Sequence, residues 1–218
     1  MKKNIYSLVL SESVVDAVDR LAYSMHTSRS NLINQILAER VCYVTPEKRM
    51  RLIFDELNAM IAGKEAFTVL GSPSPSILQI RSALAFKYNP TVRYNLEFYR
   101  SGGPASGELQ VSLRTQNTTL MLYMAQFFKL WAKIEQSYGR GEECAVDGGR
   151  FIKKLTLSAR DEDAERAAER FAHAIYDYLN AFDEGMKAFF YQLNDPAEAA
   201  RSVEEVYRAY LQSTASPL

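Results

Sequence analysis

A chain of 218 residues can hold one large domain or two modest ones, and either arrangement buries a sizeable core. Its 26 basic and 26 acidic side chains cancel, so net charge carries no nucleic-acid signature, and 47% hydrophobic with 24% charged residues is the composition of a folded soluble protein. Two cysteines and two histidines, none at ligand spacing, argue against a disulfide framework and against a zinc, nickel or iron site.

The charges are unevenly spread. Residues 1–50 carry seven Lys/Arg against five Asp/Glu, residues 51–157 thirteen against nine, and residues 158–218 six against twelve. An acidic C-terminal third is a poor surface for DNA, so a DNA contact is expected towards the N-terminus. Met1-Lys2-Lys3 starts like a signal peptide, but the apolar run over residues 5–10 is broken by Ser7 and followed by Ser11-Glu12-Ser13. No stretch approaches the ~18 apolar residues of a membrane span. The expectation is a cytoplasmic protein without a membrane partner or a cofactor.

Residues 4–10 read as a short strand rich in apolar, β-branched and aromatic side chains. Ser11 is the expected N-cap of a helix whose apolar face is Val14, Val18, Leu21, Ala22 and Met25, with Asp16, Asp19 and Arg20 mainly opposite. A turn at His26-Thr27-Ser28 precedes a second helix that opens near Arg29-Ser30 and carries Leu32, Ile33, Ile36, Leu37 and Val41 at helical spacing. One strand and two short helices cannot close a core alone, because an isolated strand leaves both edges unpaired. Pairing the strand with its symmetry mate resolves this in a two-fold assembly.

Met1-Lys2-Lys3, the Leu10-Ser11-Glu12-Ser13-Val14 junction, Leu21-Ala22 and the run Thr27-Ser28-Arg29-Ser30-Asn31-Leu32-Ile33 together resemble the ribbon-helix-helix family of DNA-binding proteins, the Arc, MetJ and CopG class. The resemblance covers about one fifth of the chain. It implies a homodimer, or a higher even oligomer, that inserts a two-stranded ribbon into the major groove of double-stranded DNA. Carried over position by position, Ile5, Ser7 and Val9 point into the groove while Tyr6, Leu8 and Leu10 face the dimer core. Ser28, Arg29 and Ser30 clamp the phosphate backbone at a helix start, and Lys2 and Lys3 add flanking attraction. The family usually places polar or basic residues on the outward strand face. Here two of the three are aliphatic and suited to thymine methyl contact.

Thr45-Pro46-Glu47 is a strong helix start, and the helix it opens runs to about Gly63. Gly71-Ser72-Pro73-Ser74-Pro75 is the best linker or sharp turn. Alternating apolar and polar residues over 78–87, 92–99 and 109–114 then indicate an antiparallel sheet with one wet face. A helix over 119–138, a glycine-rich flexible loop over 139–149, a fourth strand over 151–157 and helices after Ser158 and over 196–211 complete the pattern. The stripe Phe171, Ile175, Tyr178, Leu179 and Phe182 reads as core or subunit interface. Asp161-Glu162-Asp163 reads as a helix start, not a metal cluster.

The fold class expected is α+β: a ribbon-helix-helix dimerisation module over 1–44, a connecting helix and linker over 45–75, and over 76–218 an antiparallel sheet with helices packed on one face. That last domain would serve oligomerisation, partner binding or sensing of a small-molecule or protein effector. The function expected is transcriptional regulation, most simply repression. The alternative is a protein-interaction or scaffold protein in which the module only dimerises. No nucleophile–base pairing, metal spacing or phosphate loop supports an enzyme.

Overall fold

The computed structural model describes residues 7–41, 43–71, 74–86, 89–99, 107–156 and 164–218. Lys2, Lys3, Ile5, Tyr6, Cys42, Lys87 and the Asp161-Glu162-Asp163 run lie outside the described residues. The fold class is α+β with an antiparallel sheet.

Helices α1 (Glu12–Ser24) and α2 (Arg29–Arg40) form a hairpin. Ser11 is the N-cap of α1, although its hydroxyl makes no capping bond and lies 3.2 Å from Ser13 Oγ. The turn expected after α1 is a Schellman closure: His26 N–H donates to Tyr23 and Thr27 N–H to Ala22, with His26 at φ 49° where glycine is commoner. Ser28 Oγ accepts from Asn31 N–H at 3.3 Å and so caps α2.

Helix α3 (Pro46–Ile61) starts where Thr45 and Pro46 predict, with Thr45 Oγ1 accepting from Lys48 N–H at 3.1 Å. It inserts Met50, Ile53, Phe54, Leu57 and Ile61 into the main core. The sheet has the order β1-β2-β3-β4-β6-β5 and every pairing is antiparallel. Strands β2 (Ile77–Ala83), β3 (Thr91–Phe98) and β4 (Gly107–Arg114) are the expected meander, and β6 (Arg150–Leu155) the expected fourth strand.

Two strands escaped the periodicity. β1 (Thr68–Val69) has two residues, too few for alternation to register. β5 (Cys144–Asp147) lies within the stretch expected as a flexible loop. That stretch instead holds a 3-10 turn over Gly141–Glu143, β5, and a tight hairpin to β6. Gly148 and Gly149 both have positive φ, 55° and 75°, as a two-residue type I′ turn requires.

The period-2 pattern sets the layers. Leu78 and Ile80, Val92, Tyr94, Leu96 and Phe98, Leu109 and Val111, and Phe151 and Leu155 point to one side and are buried. On that side lie α3, α4 (Thr118–Ser137) and α5 (Ala164–Tyr191). Phe98 meets Phe54 and Phe171, Phe128 meets Phe151, and Phe182 meets Tyr94 and Phe151. Helix α6 (Pro196–Ser213), capped by Asp195 Oδ1 at 3.1 and 3.0 Å, packs on α5. The stripe Phe171, Ile175, Tyr178, Leu179 and Phe182 is core. Ser82, which interrupts the apolar face of β2, is buried because Asp183 of α5 accepts its proton at 2.6 Å.

Candidate nucleic-acid interface

The buried residues of the helical hairpin, Ala22, Leu32 and Ala38, stand apart from the main core, which starts at Met50. Around them the two apolar faces stay open. Val14, Leu21, Met25, Ile36, Leu37 and Val41 are all exposed although their spacing marks them for burial. Ala22 and Leu32 are the only residues of those two helix stripes that are buried among the described residues. A hairpin of 13- and 12-residue helices offers too little surface to cover both stripes itself.

Residues 7–10 precede this hairpin without strand pairing. No strand forms over these four residues within one chain, and no described residue pairs with their edges. The alternation is nevertheless visible in exposure: Val9 is fully exposed at 102%, against 59% for Leu8 and 42% for Leu10. Ser7 is exposed on the same side of the alternation as Val9.

Ser28, Arg29 and Ser30 come together at the exposed start of α2. Leu32 N–H reaches Ser28 O and Asn31 N–H reaches Ser28 Oγ, which leaves the amides of Arg29 and Ser30 at the positive end of the helix dipole. The Arg29 side chain is not idle. Its Nε and Nη2 donate to the two carboxylate oxygens of Asp19 on α1, and this pairing raises the guanidinium pKa. Helical spacing alone places Asp19 only on the face mainly opposite the apolar stripe of α1.

A second concentration of chemistry sits between α4, α5, β5 and β6. Glu135 and Lys153 are both fully buried and ion-paired at 2.8 Å. Glu135 Oε1 also accepts from Trp131 Nε1 at 2.8 Å and from Tyr178 OH, and its Oε2 accepts from Cys144 Sγ. Burial first, and then the Glu135 charge, push the Cys144 thiol and the Tyr178 phenol well above their ordinary ranges. A thiol held protonated is a poor nucleophile, and Glu135 and Lys153 are both shut off from solvent.

Both buried charges were present as signals in the sequence. Glu135 falls one turn after Trp131 on an apolar helix stripe, and Lys153 takes the inward position between Phe151 and Leu155. A further buried acid, Asp183, accepts from Ser82, from Tyr94 OH at 2.8 Å and from Lys187 at 2.5 Å.

Among the described residues no group of three or more His, Cys, Asp or Glu could hold a metal ion, and no helix is long and apolar enough to cross a membrane. A shallow groove of about 320 Å³ lies against α5, lined among others by Arg170, His173, Asp177 and Ser216. Comparison with protein-family models, with curated proteins and with solved structures finds no match for this chain.

Proposed function

We propose that the chain is a DNA-binding transcriptional regulator, working in the cytoplasm as a homodimer through an N-terminal ribbon-helix-helix module. The observation that carries this reading is the pair of open apolar helix faces behind an unpaired segment whose residues alternate in exposure. A second copy laid on the two-fold axis would pair residues 4–10 of both chains and cover Leu8, Leu10, Val14, Leu21, Ile36 and Leu37. Each half-exposed aliphatic side chain so covered contributes on the order of 1 kcal/mol.

In this reading Ser7 and Val9, with Ile5, enter the major groove. Ser7 donates or accepts one hydrogen bond, and Ile5 and Val9 give apolar contact to thymine methyls. The amides of Arg29 and Ser30 and the hydroxyls of Ser28 and Ser30 take a phosphate at the helix start, where Lys2 and Lys3 add charge. The C-terminal α+β domain then serves oligomerisation, effector sensing or partner binding.

The test is retention of the DNA upstream of its own coding sequence by purified protein, measured against salt. Binding that falls steeply with salt supports the reading, and no retention at low salt rejects it. A scaffold reading, in which the module only dimerises, is favoured by one observation: Asp19 already occupies the guanidinium of Arg29. A dimer by sedimentation with no DNA retention is the outcome that would select it.

A further inference from the structure

The face of the sheet away from the helices carries an arrangement that the N-terminal module does not use. Arg81 on β2 stands directly opposite Arg93 on β3, Arg93 opposite Ser112 on β4, and Ser112 opposite Arg150 on β6. Arg114, two residues along β4, lies on the same face opposite Thr91. All four arginines are exposed, and the residues alternating with them on β2, β3 and β6 are buried. Three strand spacings make the row about 14 Å wide, with Arg114 about 7 Å further along its strand.

Like charges directly opposite on neighbouring strands repel and cost stability. Here no ion pair among the described residues relieves them. One acid, Asp147, stands opposite Arg150 on the edge strand β5. The remaining acids of this face, Glu97 and Glu108, pair with each other at its far end beside Lys154, four residues or about 13 Å along β3 from Arg93. The face is thus divided into a basic corner and an acidic end, not a mixed solvated surface.

We propose that the Arg81–Arg93–Arg150–Arg114 corner is a second DNA contact that lies along the phosphate backbone of a duplex and senses charge, not sequence. The inference rests on DNA being the partner, as in the proposed function, but not on the ribbon reading any base. Guanidinium forks match phosphate oxygens bidentately, and Ser112 adds a hydroxyl donor within the row. Each strand of a duplex presents one charge per ~3.4 Å of axis, so the row runs alongside on the order of four phosphates of one strand.

The occupant favoured is a duplex and not a single strand. Stacking of unpaired bases needs aromatic platforms, and among the described residues none stands beside these arginines. Tyr99 is exposed on this face, but at the acidic end, where burial, Glu108 and Glu97 raise its phenol to about 12.

The experiment measures binding of the full chain to a duplex of arbitrary sequence and to the matching single strand, across a salt titration. For Arg81→Thr/Arg93→Thr we expect at least about tenfold weaker duplex binding and a slope of log K against log salt shallower by about 1.8, at 0.9 per phosphate contact. Its melting temperature should hold or rise, since a repulsive pair is removed. The charge-conserving Arg81→Lys/Arg93→Lys variant should keep the slope.

Unchanged duplex affinity and slope in the threonine variant would overturn the proposal. So would tighter binding of the single strand by the wild-type chain, or a slope lost equally in the lysine variant. Arg29→Ala separates this contact from the N-terminal one. Loss with Arg29→Ala and none with the threonine pair leaves the module and removes the sheet contact, whereas the reverse leaves the sheet contact and removes the module.

Discussion

Asp19 on α1 and Arg29 at the first position of α2 hold each other through two parallel hydrogen bonds across the helical hairpin. In the proposed DNA-binding role the same guanidinium would be the phosphate ligand of the first turn of α2, so carboxylate and phosphate would compete for it. Asp19→Asn should therefore strengthen DNA binding several-fold at low salt. Arg29→Ala should weaken it equally across sequences and make the salt slope shallower by about one contact, whereas Ser7→Ala should alter preference at one base position. Anisotropy with a panel of duplexes reads all three, and a weaker Asp19→Asn variant would contradict the competition.

The buried Glu135–Lys153 pair makes a different kind of prediction. Removing one charge leaves the other in the core without compensation, so Lys153→Met should cost about 3–5 kcal/mol. The double variant Glu135→Gln/Lys153→Met should recover much of that loss, because both charges are then gone. Urea unfolding of the two variants, followed by Trp131 fluorescence, gives the comparison.

Alkaline pH should destabilise the fold. Cys144, Tyr94 and Tyr178 all have pKa values above their ordinary 9.0, 10.0 and 10.0, with burial the first cause in each. The unfolded chain gives up these protons at lower pH than the folded chain does. Their stabilisation is whole below about pH 9 and is lost as pH rises beyond 10. The urea midpoint should fall between about pH 8 and pH 10.5, and alkylation of Cys144 should be slow in the folded protein.

Gly185 of α5 lies against Trp131, and a Cβ there would sit 2.5 Å from Trp131 Cζ3. The indole is pinned by hydrogen bonds to Glu135 and Tyr178, so it cannot swing aside. Gly185→Ala should destabilise by about 1–3 kcal/mol even though alanine is the better helix former. A thermal melt decides it.

Much of the sheet and of the helices packed with it was legible in the sequence because strands β2, β3, β4 and β6 carry clean alternation and helices α3 and α6 open on Thr45-Pro46 and Asp195-Pro196. β5 was not, since four residues leave little period to count and its glycine turn resembles a loop. The Ser82–Asp183 bond joins residues 101 apart, beyond any local pattern. The division of the wet face into basic and acidic ends depends on register, which places Arg81 against Arg93 and Glu97 against Glu108. In the N-terminal module the helix boundaries followed from Ser11 and Ser28, but Asp19 engaging Arg29 is a tertiary choice that helical spacing does not encode.

Lys153 has a consequence for how the sheet assembles. Strand β6 joins β4 on one side and β5 on the other, and a slip of one residue would turn Ile152 and Lys154 inward. Such a slip would also turn Phe151 and Leu155 out of the core. The slip that brings Ile152 to the place of Lys153 would in addition leave the fully buried Glu135 carboxylate without the ammonium that neutralises it. The ion pair thus acts as an alignment pin that tells the correct pairing of the last strands from its nearest competitor.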